Sequence, residues 1–137
     1  MKNFLKPLSV LVIALIPMFS IFASAYDYKR GSIDTYIKAL DNNTQLCAVE
    51  KQSTENYSIV RFSSEDSEFE TAKVWVMTSK KTWMSDKTTA YPNDKNVKII
   101  YKPEDPSVTF SIGSNVIFWG EQSSFSSKKA VGYAYGY

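Results

Sequence analysis

The side chains that most often do chemistry are scarce in this chain of 137 residues. Histidine is absent, and Cys47 is the only cysteine. The commonest general base near neutral pH is therefore missing, together with the usual partner that activates a serine nucleophile. Ser79-Lys80-Lys81 and Ser126-Ser127-Lys128-Lys129 hold the atoms of a serine–lysine pair, but at spacings that imply no preorganised site. Glu65, Asp66, Glu68 and Glu70 could offer oxygens to calcium, yet the twelve-residue loop with its central glycine is not there. They read as a charged edge. Cys47, in the apolar run Leu46-Cys47-Ala48-Val49, reads as a buried thiol and excludes any disulfide within the chain. The expectation is no enzyme, no metal site and no cofactor.

Aromatic residues carry the stronger signal, with three Trp, nine Tyr and eight Phe. Such rings join a large rigid apolar area to a polar tip, which suits contact with sugars or a protein surface. Tyr133, Tyr135 and Tyr137 share one face of a terminal strand, while Gly132, Ala134 and Gly136 leave the other nearly bare. That bare face permits close approach of a sheet, a partner chain or a wall polymer. Tyr133, Tyr135, Tyr137 and Trp83 are the expected binding surface. Trp75 and Trp119 lie in the strongest strands and are expected in the core.

The elements that must hold these residues read as strands. Ser32–Leu40 fits helix or strand and is assigned to strand, ended by Asp41-Asn42-Asn43. Gln45–Lys51 and Tyr57–Ser63 alternate and are predicted to form a hairpin across the polar linker 52–56. Ala72–Thr78 is rich in residues that suit a pleated surface. Thr82-Trp83-Met84 reads as a short strand, Tyr91-Pro92-Asn93-Asp94 as a turn, and Asn96–Lys102 as a strand. Val108, Phe110 and Ile112 alternate with Ser107, Thr109 and Ser111 as a half-buried strand would. Val116–Gly120 is bulky on both faces and is expected to be central. The fold class is all-β: a small single-domain antiparallel β-sandwich of seven or eight short strands, with a closed β-barrel as the alternative.

Residues 1–25 have the three parts of a secretory signal: Lys2 and Lys6, an apolar run from Leu8 to Phe22, and Ala23-Ser24-Ala25. The run is shorter than the roughly 20 residues that span a bilayer. Residues 26–137 are then the single secreted β domain, with no stable transmembrane insertion expected once the leader is cut. Loss of Lys2 and Lys6 would bring the 16 basic residues level with the 14 acidic ones. A neutral domain lacks the basic excess of a nucleic-acid binder, so no nucleic acid is expected. Frequent Lys, Asn, Ser, Ile and Tyr suggest a bacterial source. The functional expectation is a non-enzymatic secreted or cell-envelope-associated protein binding a surface component, a cell-wall polymer or protein partner. The alternatives are a small secreted toxin or antimicrobial factor acting on membranes, and a secreted inhibitor or immunity protein. Oligomeric state leaves no mark in the sequence.

Overall fold

The computed structural model describes residues 29–137; the expected leader at 1–25 lies outside the described residues. Eight strands follow one another: β1 (Arg30–Ile37), β2 (Thr44–Glu50), β3 (Tyr57–Phe62), β4 (Ala72–Met77), β5 (Thr88–Ala90), β6 (Val97–Ile100), β7 (Asn115–Glu121) and β8 (Lys128–Gly136). They form two antiparallel four-stranded sheets, ordered β1-β8-β3-β6 and β2-β7-β4-β5. The sheets pack face to face as a sandwich and are not closed into a barrel. Among the described residues, no helix is long and apolar enough to cross a membrane.

The pairings are nested: β1 with β8, β2 with β7, β3 with β6, and β4 with β5. The chain is thus a long ribbon doubled at the β4–β5 connection and rolled so that successive pairs fall in alternate sheets. This is the strand order of a jelly roll. It corrects the expected β2–β3 hairpin, because β2 belongs to the second sheet and β3 to the first. A polar linker suits an arch between sheets as well as a turn within one. Here residues 52–56 make the arch, with the Gln52 amide donating to the Gly136 carbonyl at 2.8 Å.

Strand alternation fills the core. Ile33 and Ile37, Val60 and Phe62, Ile99, and Ala130 and Ala134 come from the first sheet. Leu46 and Val49, Ala72, Val74 and Val76, Ala90, and Val116 and Phe118 come from the second. β2 keeps its face inward through a bulge: Gln45 pairs with Trp119 and Cys47 with Phe118, so Leu46 is the extra residue. The bulge brings Leu46 onto the same side as Val49, against the simple alternation of the sequence. β8 runs between β1 and β3, and its small inner residues let other backbones come close. A β-carbon at Gly132 would collide with the Arg61 carbonyl, and one at Gly136 would sit 3.0 Å from the Glu50 carbonyl oxygen.

Two further expectations are corrected. Residues 107–112 form no strand. Val108 and Phe110 do pack against the core, and the Phe110 ring lies 4.9 Å from that of Tyr101, but no neighbouring backbone pairs with the segment. Ile112 is exposed. The short strand expected at 82–84 is reduced to a single bridge between Trp83 and Met77. The central place expected for Val116–Gly120 is where β7 lies, between β2 and β4.

Candidate binding face

The outer face of the first sheet is built by alternation on four strands. β8 contributes Val131, Tyr133 and Tyr135, and Tyr137 follows it; β3 contributes Tyr57, Ile59 and Arg61. β1 adds Arg30, Ser32 and Asp34, and β6 adds Lys98 and Ile100. Register sets them in rows. Arg30, Tyr135, Ile59 and Lys98 form one row, and Ser32, Tyr133 and Arg61 the next. At about 4.8 Å between strands, the first row is about 14 Å wide. Tyr133 to Tyr137 extends about 13 Å along the strand direction at about 3.3 Å per residue.

Ring and charge contacts organise this face. The Arg30 guanidinium lies 4.0 Å over the centre of the Tyr133 ring, and the Lys98 ammonium 3.9 Å over that of Tyr57. Tyr137 sits between Tyr57 and Tyr135, at centroid distances of 5.4 and 6.0 Å. A groove of about 960 Å³ runs along the stripe, with Lys29, Arg30, Arg61, Tyr133, Tyr135 and Tyr137 among its lining residues.

Its acidic end is held locally. Asp66 accepts from the Ser63 hydroxyl at 2.9 Å, and Asp94 accepts from both the amide and the hydroxyl of Ser64. Those Ser64 bonds, with a smaller contribution from Arg61, hold the Asp94 carboxyl below its usual range. Among the described residues, no carboxylate forms a salt bridge with Arg30, Arg61 or Lys98. The cations beside the tyrosines thus keep donors to offer a ligand.

The structure brings Tyr133, Tyr135 and Tyr137 together and puts Trp83 elsewhere. Trp83 stacks on Trp75 over the outer face of the second sheet, centroids 5.2 Å apart and planes 11° apart. Lys87 lies 4.6 Å over Trp75 and bonds both Glu121 oxygens at 2.7 Å. Trp75 is fully buried, as expected of a core residue, whereas Trp119 is only half-buried. They are cross-strand neighbours on that outer face, where Trp75 is fully buried by its covering and not by the opposite sheet. A smaller hollow of about 470 Å³ lies beside Trp83, lined also by Asp86, Lys102 and Glu104.

Sequence reasoning missed one cluster at the edge of the tyrosine stripe. Lys51 is buried and donates to the Glu55 carbonyl at 2.5 Å and to the Tyr137 backbone oxygen. Its ammonium lies 5.0 Å from the centre of the Tyr101 ring, and the Tyr101 hydroxyl meets that of Ser58 at 2.5 Å. Burial lowers the Lys51 pKa, partly opposed by the Glu55 carboxylate. Burial pushes the Tyr101 phenol up to about 12. Ser58 is fully buried, so the cluster seats Tyr137 and presents no accessible nucleophile. The only sequence signal was the weak one of a lysine following an apolar strand.

The remaining candidates stay apart. Ser79, Lys80 and Lys81 lie on an exposed turn after β4, with the Lys81 amide bonded to the Thr78 carbonyl. Glu68 accepts from the Lys129 amide, away from the Ser63–Asp66 contact. Among the described residues, no group of three His, Cys, Asp or Glu side chains is placed to hold a metal ion. Fold and face together define an eight-stranded jelly-roll sandwich with an aromatic, cation-edged outer sheet. No protein-family model, no curated protein and no solved structure matches the chain.

Proposed function

We propose that this is a non-enzymatic, exported binding module whose outer tyrosine face holds an extended component of the cell envelope or its surroundings. The observation that carries this is the row of Tyr133, Tyr135 and Tyr137 along one groove lined also by Arg30 and Arg61, with Lys98 over Tyr57 farther across the same face. A wide, shallow face of rings suits a chain-like ligand better than a small molecule, which prefers an enclosed, mostly apolar cavity. The leader-like residues 1–25 support an extracellular place of work. The test is retention on isolated envelope material and secreted polymers. Wild-type protein is expected to be retained, and a Tyr133→Ala/Tyr135→Ala variant to flow through while keeping its thermal transition. Absence of retention on every polymer, with turnover in a hydrolase screen, would sink the reading.

A second reading rests on Phe125, which is 92% exposed, and on exposed Leu40 in the adjoining loop. The Leu40 amide bonds the Ser124 carbonyl at 3.0 Å, so the two apolar side chains are held at one end of the sandwich. That end would meet a lipid surface in a membrane-active factor. Flotation with liposomes decides it: a Phe125→Ser variant that floats as wild type does, or wild type that fails to float, removes it.

A further inference from the structure

We infer that the ligand of the tyrosine face is an acidic polysaccharide strand, whose oxyanion groups are taken by Arg30 and Arg61 while its sugar rings lie along Tyr135 and Tyr137. The inference rests on the binding role proposed above and adds the chemistry of the ligand. Arg30 carries most of it. Its guanidinium carbon lies 4.0 Å over the centre of the Tyr133 ring, and among the described residues no carboxylate forms a salt bridge with it. A guanidinium fixed in this way is a ready receptor for a carboxylate, sulfate or phosphate, because two parallel N–H donors match two oxygens.

Position supplies the rest. Arg30 lies on the β1 side of the tyrosine stripe, and Arg61 and Lys98 lie on its β3–β6 side. A polymer running along β8 would therefore meet cations on both flanks, as a glycan with acidic groups alternating from side to side requires. The acidic residues of this face are otherwise engaged. Asp94 is held by Ser64, Asp66 by Ser63, and Asp34 faces Lys129 at 3.8 Å. Tyrosine hydroxyls along the stripe add donors and acceptors suited to sugar hydroxyls. A nucleic acid would share the negative charge. The balance of 16 basic against 14 acidic residues offers little of the excess that phosphate backbones select.

Affinity electrophoresis of the full chain in gels containing one polymer each tests this: polygalacturonate, dextran sulfate, neutral dextran or poly(dT). Retardation by polygalacturonate, by dextran sulfate or by both is expected, and which of them acts tells whether carboxylate or sulfate is read. Dextran should leave mobility unchanged. Arg30→Gln should weaken the interaction about tenfold, the loss expected for a charged hydrogen bond. Arg30→Lys should not restore it, since an ammonium lacks the planar fork. Lys80→Gln, on an exposed turn off the face, should bind as wild type does. Equal retardation by dextran, equal binding of poly(dT), or equal weakening by Lys80→Gln would overturn the acidic-glycan assignment and leave the binding face standing. No retardation by any of the four polymers removes the acidic-glycan assignment, and the binding face then stands or falls by retention on isolated envelope material.

Discussion

At the scale of single residues, burial sets the chemistry of three groups. Cys47 packs against the core, and desolvation pushes its thiol from 9.0 up to about 12. A thiol reacts as the thiolate. Labelling by a maleimide at pH 8 is therefore expected to be slow in the native protein and fast after denaturation; rapid native labelling would place Cys47 at the surface. The same shift has a consequence for stability. Between pH 9 and 12 the unfolded thiol has lost its proton while the folded one keeps it, so the folded state binds more protons and stability falls as pH rises. Tyr101 acts in the same direction from 10.0 up to about 12. Lys51, whose pKa is lowered, acts in the opposite direction. Urea midpoints measured from pH 8 to 11 should therefore decline, and a Cys47→Ala variant should decline less steeply. Equal slopes would mean that the thiol is not desolvated.

At the scale of elements, β8 and the loop preceding it bear the closest fits. Gly132→Ala would drive a β-carbon into the Arg61 carbonyl, and a cost of about 1–3 kcal/mol is expected in denaturant unfolding. Gln122 is buried in the loop between β7 and β8. Its side-chain amide donates to the carbonyls of Lys38 and Ser126 at 3.0 Å, and its oxygen accepts from the Ser124 amide at 2.8 Å. Gln122→Ala should leave several of these groups unpaired and cost about 2–3 kcal/mol, lowering the thermal midpoint. An unchanged midpoint would show that water replaces those bonds at no cost. Most strands were legible because alternation of Val, Ile and aromatic residues is a local property, as in Ala72–Met77. Pairing is not local, so nothing in Gln45–Phe62 revealed that β2 and β3 would part into different sheets. Val108 and Phe110 showed the alternation of a strand without a partner to complete it. The bulge at Leu46 stayed hidden because one extra residue in a short apolar run leaves no compositional trace. On the binding face, the tyrosines were readable from their spacing. Arg30, Arg61 and Lys98 were not, since they come from three strands that only the topology assembles into one sheet with β8.

At the scale of the whole molecule, the nested ribbon makes the longest loop closures obligatory. Arg30 pairs with Tyr135 and Gln45 with Trp119, so the edge strands β1 and β2 each close a long stretch of chain when they join their partners. All-β domains governed by such non-local pairing fold in milliseconds to seconds. Stopped-flow refolding is expected in that range, and a microsecond phase carrying the full amplitude would contradict the topology. The two sheets also divide the aromatic residues. Trp75, Trp83 and Trp119, which are all the tryptophans of the chain, belong to the outer side of the second sheet, whereas the outer face of the first carries tyrosines. The two sides of the molecule are therefore spectrally distinct. Emission excited selectively at tryptophan watches the sheet opposite the groove, and a titration followed that way would be silent to a ligand settling on the tyrosines. Tyrosine absorbance, or resonances of the Tyr133 and Tyr135 rings, would register it.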